Sequence, residues 1–337
     1  MTIYIRVDMN STIATGHLMR CLSVAREISK TGNNVTFITS DLEGEKEILE
    51  NQYTCIVLGS DWRNKESEID QMIQLIRQYT MEVLLIDSYQ VTEKYLLSLH
   101  KYTKIYYIDD LNMFHYSVDG LICYANYFRK FNYDGQYKGK TNLLLGTQFV
   151  PLREEFKNMH AKKISNQIQK LLVLSGGGDP NHFVLKFLKN LDLEQYEKVD
   201  VICGRYFLDY EDGEKRYKGN KKVHLHRCVS HIETYMREAD VAISAGGTTL
   251  YELCACGVPT ITYSFADNQI DNVKQFESDQ IMKYAGDVRT ESVICNILEL
   301  LNGEMAQKSI RKSVSKRMQA MIDGQGSWRI AKALLEV

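Results

Sequence analysis

The sequence contains no apolar run of ~18 residues, and its opening MTIYIRVDMN has no apolar leader stretch. A cytoplasmic protein without a membrane partner is therefore expected. Charge of one sign is also missing. The chain has 41 Lys and Arg against 43 Asp and Glu, a net charge of −2, which argues against broad affinity for nucleic acid or anionic lipid. The eight cysteines include no C-x-x-C pair and are scattered, so neither a disulfide framework nor a paired-thiol zinc motif is expected. His224, His226, Cys228 and His231 are close together, but no second pair at zinc-like spacing completes a ligand set, and no metal site is assigned. There are three prolines, Pro151, Pro180 and Pro259, each where a junction, a turn or a strand start tolerates the ring. No exposed apolar repeat demands a second copy, so a monomer is expected.

What the sequence does have is alternation. At 337 residues it is long for one core, and two domains are expected. Strand-like runs at 3–7, 35–39, 54–58, 83–87, 104–109 and 120–124 alternate with helical patterns. The first of these helices spans 17–32, with Leu18, Cys21 or Leu22, Ala25 and Ile28 at helical spacing and Gly32 as its stop. The pattern restarts at 170–178, 199–204, 221–226, 240–247 and 258–264. The polar stretch 151–169 reads as a linker with a short helix, and 326–337 as a closing helix. The fold class is α/β: two Rossmann-like domains, 1–155 and 165–325, followed by the 326–337 helix.

Three strand-to-helix turns offer chemistry, because ligands in parallel sheets bind beyond the carboxyl ends of strands, where helix N-termini attract anions. In the first, Gly16 turns the chain into a helix and His17 lies in its opening turn. Asp8, at the end of the first strand, is near enough in sequence to orient the ring, and Asp87 is a second candidate for that role. Such a histidine serves either as a base or as a polar cap. The second turn, VLSGGGDPNH, places Gly176 and Gly177 where a phosphate or sugar can approach, although neither the Walker A nor the G-x-G-x-x-G spacing is present. The third, SAGGTTLYE, offers Ser244, Gly246, Gly247, Thr248 and Thr249 to a diphosphate. Glu252 there has two readings, a capping box with Thr249 or an acceptor for ribose hydroxyls. Asn268 and Gln269 sit at the next sheet edge.

The run Ser-Ala-Gly-Gly-Thr-Thr-Leu-Tyr-Glu, followed by Gly-Val-Pro and Ala-Asp-Asn-Gln, resembles the donor-binding half of GT-B glycosyltransferases of the MurG type. The elements Arg6-x-Asp8, Gly16-His17-x-x-Arg20, YIDDL (107–111) and PLREEF (151–156) resemble the PseG family of UDP-2,4-diacetamido-2,4,6-trideoxy-β-L-altropyranose hydrolases. The resemblance implies a GT-B fold, with two domains facing across a cleft, and hydrolysis of a UDP-sugar in pseudaminic acid synthesis without a cofactor. It implies His17 as the base, Asn268 on the diphosphate and Glu252 on the ribose. Arg20, Asp87 and Tyr89 would line the sugar site, while Ser88 stands where the family often has histidine. The same donor site would serve a true glycosyltransferase, or a binder of sugar nucleotides without catalysis.

Overall fold

The computed structural model describes every residue except Ser11, Ala14, Glu291 and Val337. The chain divides into two compact units, Met1–Glu154 with Gly324–Val337, and Glu155–Asp323. Each unit is a parallel sheet covered by helices, as the alternating sequence pattern requires.

In the first unit the strands are β1 (Thr2–Val7), β2 (Asn34–Thr39), β3 (Thr54–Val57), β4 (Val83–Asp87), β5 (Lys104–Ile108), β6 (Gly120–Cys123) and β7 (Asn142–Leu145). They pair in the order β3-β2-β1-β4-β5-β6-β7. All five residues of β4 are buried, as are all but the first of β1, which suits central strands covered on both faces. The helix Gly16–Lys30 buries Leu18, Cys21, Leu22, Ala25 and Ile28, and Gly32 follows it at φ +80°. The closing helix Gly326–Leu335 packs against Gly16–Lys30 within this unit.

The second unit carries β8 (Lys170–Leu174), β9 (Lys198–Cys203), β10 (Val223–Arg227), β11 (Val241–Ala245), β12 (Thr260–Ser264) and β13 (Lys283–Asp287), in the order β10-β9-β8-β11-β12-β13. The expected α/β class with two Rossmann-like sheets is therefore what the structure shows. Two edge strands, β7 and β13, extend the sheets beyond the sequence reading. The stretch after Pro151 forms one turn of 3-10 helix, Glu154–Phe156, where a short helix was expected.

Strand order reverses between β1 and β4 in one sheet and between β8 and β11 in the other. Such switch points leave a crevice at the carboxyl ends of the strands. His17 opens the helix that follows β1 and Asp87 ends β4; the loops after β8 and β11 carry the two glycine-rich turns.

Candidate active site

In the first unit, Val7 of β1 pairs with Asp87, the last residue of β4. This register brings the Asp87 carboxylate beneath the opening turn of the helix that begins at Gly16. His17 Nδ1 lies 2.6 Å from Asp87 Oδ1. One turn further on, Arg20 Nε donates to Asp87 Oδ2 at 2.5 Å, its Nη2 also reaches Oδ1, and Nη1 donates to the Tyr124 hydroxyl. Burial acts to raise the Asp87 carboxyl, but Arg20 and then His17 outweigh it and hold the group well below the usual carboxylate range. An ionised Asp87 has no proton to share, so the proton of their bond sits on His17 Nδ1. In the neutral ring this leaves Nε2 as the acceptor; Arg20 Nη2 also lies 2.9 Å from Nδ1. The Tyr89 and His17 rings form a T-shaped pair, with centroids 4.7 Å apart and planes at 84°, and the Tyr89 hydroxyl donates to Asp110 Oδ2 at 3.0 Å.

Several sequence expectations change here. Asp8 does not orient His17. Its Oδ1 accepts from Arg6 at 2.8 Å and from the Ser40 backbone N–H at 2.7 Å, and its Oδ2 accepts from Lys65. Side chains alternate along a strand, so Asp8 shares a face with Arg6 and joins a buried cluster that Glu68 completes. Arg20 and Asp87, expected to touch the sugar, are buried and spent on each other and on His17. Gly16 has no positive φ, so the turn does not need glycine; the residue instead leaves open space at the helix entrance.

In the second unit the two glycine-rich turns differ. Gly176, at φ +75°, and Gly177 are exposed, and the Gly177 carbonyl accepts from the Tyr206 backbone N–H. A Cβ at Gly204 would stand 2.3 Å from the Gly176 oxygen, so glycine is needed for that close approach. The helix that follows, Phe183–Asn190, has its entrance filled from within. Asp179 accepts from the backbone N–H groups of Phe183 and Val184 at 2.9 and 2.8 Å. A carboxylate occupies the place an anionic ligand would take.

At the other turn, the helix Thr249–Cys256 has Thr248 as its N-cap, and the Thr248 side chain makes no capping bond. The N-cap falls one residue before Thr249, which is not where the Thr249–Glu252 capping box requires it. Thr248 is exposed, and Thr249 and Glu252 are half-buried. Gly246 is packed: its carbonyl accepts from Asn272 Nδ2, and Asn272 Oδ1 accepts from Tyr251. Gly247 has open space where a Cβ would stand. Ser244 is buried and donates to the Ala245 carbonyl at 3.1 Å, so its hydroxyl is not presented to a ligand. Gln269 Oε1 accepts from the Phe265 backbone N–H, while Asn268 is exposed.

Sequence reading missed Tyr124, Asp110, Asp179 and Asn272. Asp179, four residues before Phe183, carried a readable signal as an acidic residue preceding an apolar helix. The others act through contacts far apart in the chain. In the histidine cluster, His226 Nε2 lies 2.8 Å from Asp200 Oδ1. Among the described residues, no three His, Cys, Asp or Glu side chains are grouped to hold a metal ion, and no helix is long and apolar enough to cross a membrane.

Residues 150–323 match the family model of the glycosyltransferase family 28 C-terminal domain. The chain belongs to that family. It is 25% identical over 282 residues to an uncharacterized protein of Methanocaldococcus jannaschii, covering 77% of this chain and 55% of that one. It is 24% identical to the spore coat polysaccharide biosynthesis protein SpsG of Bacillus subtilis, covering 60% of this chain and 58% of SpsG. With the UDP-2,4-diacetamido-2,4,6-trideoxy-β-L-altropyranose hydrolase of Campylobacter jejuni it shares 30% identity over 58% of this chain and 64% of the hydrolase. The chain thus spans 55 to 64% of the length of these relatives. Among solved structures, MurG of Acinetobacter baumannii superposes with a TM-score of 0.73 at 10% identity, covering 100% of this chain and 99% of MurG. The UDP-GlcNAc 2-epimerase of Neisseria meningitidis superposes with a TM-score of 0.67 at 11% identity, with both chains fully covered. The fold is that of these two-domain proteins.

Proposed function

We propose that the protein hydrolyses a UDP-activated deoxy-acetamido sugar, with His17 as the base that takes a proton from water. The observation that carries this reading is the His17–Asp87 pair. A buried carboxylate fixes the proton on Nδ1, orients the ring and leaves Nε2 able to accept a proton. The inverting attack at the anomeric carbon requires one base of this kind and a leaving group whose charge is stabilised.

For that leaving diphosphate the reading uses the second unit. The entrance of Thr249–Cys256, not closed by the Thr248 side chain and approached over Gly247, would bind it, with Asn268 assisting and Glu252 on the ribose. Fixed amide dipoles then do the work a metal would do, so neither metal nor cofactor is assigned. The hydrolase relative from C. jejuni supports water as acceptor and an acetamido sugar as substrate. The same reading has a monomer acting in the cytoplasm, with 1–155 carrying the base and 165–325 the nucleotide.

The second reading is transfer of the sugar to another acceptor. It is favoured by the family 28 match, and by N-acetylglucosamine transferases of Campylobacter that are 29 and 30% identical over 41 and 52% of the chain. A time course with UDP-2,4-diacetamido-2,4,6-trideoxy-β-L-altropyranose in EDTA, without added acceptor, separates the two. Free sugar and UDP appearing in step support hydrolysis. Nucleotide binding without release moves transfer ahead.

A further inference from the structure

The carboxylate that orients His17 also works against its use as a base. An anion 2.6 Å from Nδ1 favours the imidazolium, and an imidazolium has no lone pair left to accept a proton. Burial strengthens the effect. His17 is 8% exposed and Asp87 1%, so water screens the pair little.

One cation stands where it can offset this. Arg20 follows His17 by one helical turn, which puts both side chains on the same face of the helix. Its fork takes both oxygens of Asp87, Nε to Oδ2 at 2.5 Å and Nη2 to Oδ1. The same Nη2 lies 2.9 Å from His17 Nδ1. Nη1 is anchored on the Tyr124 hydroxyl, with the guanidinium carbon 5.5 Å from the centroid of that ring. Arg20 and Asp87 together carry no net charge, so protonating His17 would set two cations against one buried anion.

The other titratable groups around the ring weigh less. Cys21, whose thiol donates to Asp87 Oδ2 at 3.5 Å, and the hydroxyls of Tyr89 and Tyr124 are all pushed up by burial and stay protonated. Asp110 lies beyond Tyr89, bonded to its hydroxyl, and burial raises its carboxyl too. The contest at His17 is between Asp87 and Arg20.

We propose that Arg20 is a positioning residue whose charge cancels that of Asp87 at His17, so that Asp87 can fix the ring without holding it protonated. The assignment rests on His17 being the base of the hydrolysis proposed above. It gives the arginine of Gly16-His17-x-x-Arg20 a role apart from the sugar.

NMR titration of histidine-labelled protein tests it, with the His17 signal assigned by its loss in His17→Asn. This reads the ring directly and needs no substrate. Thermal melting checks that each variant folds. Arg20→Met removes the charge; Arg20→Gln also removes it but keeps a donor for Asp87, and so provides a second variant should the first not fold. Both are expected to raise the His17 midpoint by about one pH unit or more. Arg20→Lys, which restores the charge, should return it towards the unaltered value. An unchanged or lower midpoint in the neutral variants overturns the assignment, as does an Arg20→Lys midpoint displaced as far as that of Arg20→Gln.

With UDP-2,4-diacetamido-2,4,6-trideoxy-β-L-altropyranose as substrate, the acid limb of kcat/KM should move to higher pH in step with the midpoint. A merely structural arginine would lower the rate equally at every pH, and that result also overturns the assignment. If the unaltered protein releases no UDP, the hydrolysis reading fails by itself, while the NMR midpoints still decide whether Arg20 offsets Asp87.

Discussion

His17 Nδ1 and Asp87 Oδ1 are 2.6 Å apart although 70 residues separate them in sequence. The bond fixes which ring nitrogen carries the proton, and Arg20 keeps the carboxylate ionised. His17→Asn or His17→Phe should lower turnover by at least about 100-fold while UDP affinity is unchanged. Steady-state rates and UDP titration measure the two separately, and retained activity would refute the role.

Asp87→Asn should act twice. It removes the partner that fixes the His17 tautomer, so kcat should drop more than KM rises. It also leaves the buried Arg20 guanidinium without its anion, a loss of about 3–5 kcal/mol. Chemical denaturation compared with kinetics at a temperature where the variant stays folded separates the two effects.

Adjacent glycines in the second unit predict opposite phenotypes. A Cβ at Gly246 would stand 2.6 Å from Val273 Cγ1 and 3.1 Å from Gln269 Cβ, so Gly246→Ala should destabilise by about 1–3 kcal/mol. A Cβ at Gly247 meets nothing within 4 Å, so Gly247→Ala should melt like the unaltered protein. If a diphosphate approaches over Gly247, the same variant should lose UDP affinity. Unchanged affinity would remove Gly247 from the proposed site.

Stability should fall in acid, and Asp8 should account for part of the fall. Burial raises its carboxyl, but Arg6 and Lys65 together bring it down to about 2, from an ordinary 3.8. As pH falls the unfolded chain takes the proton first, so the contribution is present above the unfolded value and is lost as pH drops from about 4 to about 2. It amounts to roughly 2 kcal/mol. Urea unfolding across this window should show a shallower pH dependence for Asp8→Asn; an unchanged slope would reject the claim.

The docking of the closing helix depends on Gly326. A Cβ there would lie 2.0 Å from the Val150 carbonyl oxygen and 2.6 Å from the Phe149 carbonyl carbon. Backbone cannot swing aside as a side chain can, so Gly326→Ala should lower stability by at least about 2 kcal/mol. A melting curve that matches the unaltered protein would show that the helix shifts at no cost.

Most strands were legible because each buried run is apolar and bounded by turn residues. The two that were not, β7 and β13, sit at sheet edges. Asn142–Leu145 has only four residues, and Lys283–Asp287 mixes lysine, glycine and aspartate with its apolar positions. An edge strand is held by backbone pairing on one side and needs little apolar pattern. Ser244, near the end of β11, misled for a different reason: a polar residue there looks like a ligand contact until its hydroxyl is seen to bond a backbone carbonyl.

By itself the sequence determined the alternation of strands and helices, the restart of that pattern in a second unit, and the glycine- and histidine-bearing turns at strand ends. These are local properties, carried by periodicity and by residues that open helices. Only the tertiary structure decided which acid meets His17. Asp8 is the nearer in sequence, but it follows β1 directly, two residues after Arg6, and its carboxylate is paired with Arg6 and Lys65. Asp87 reaches the ring because β4 pairs with β1 and brings Asp87 level with Val7, a choice of strand neighbour that no local pattern specifies.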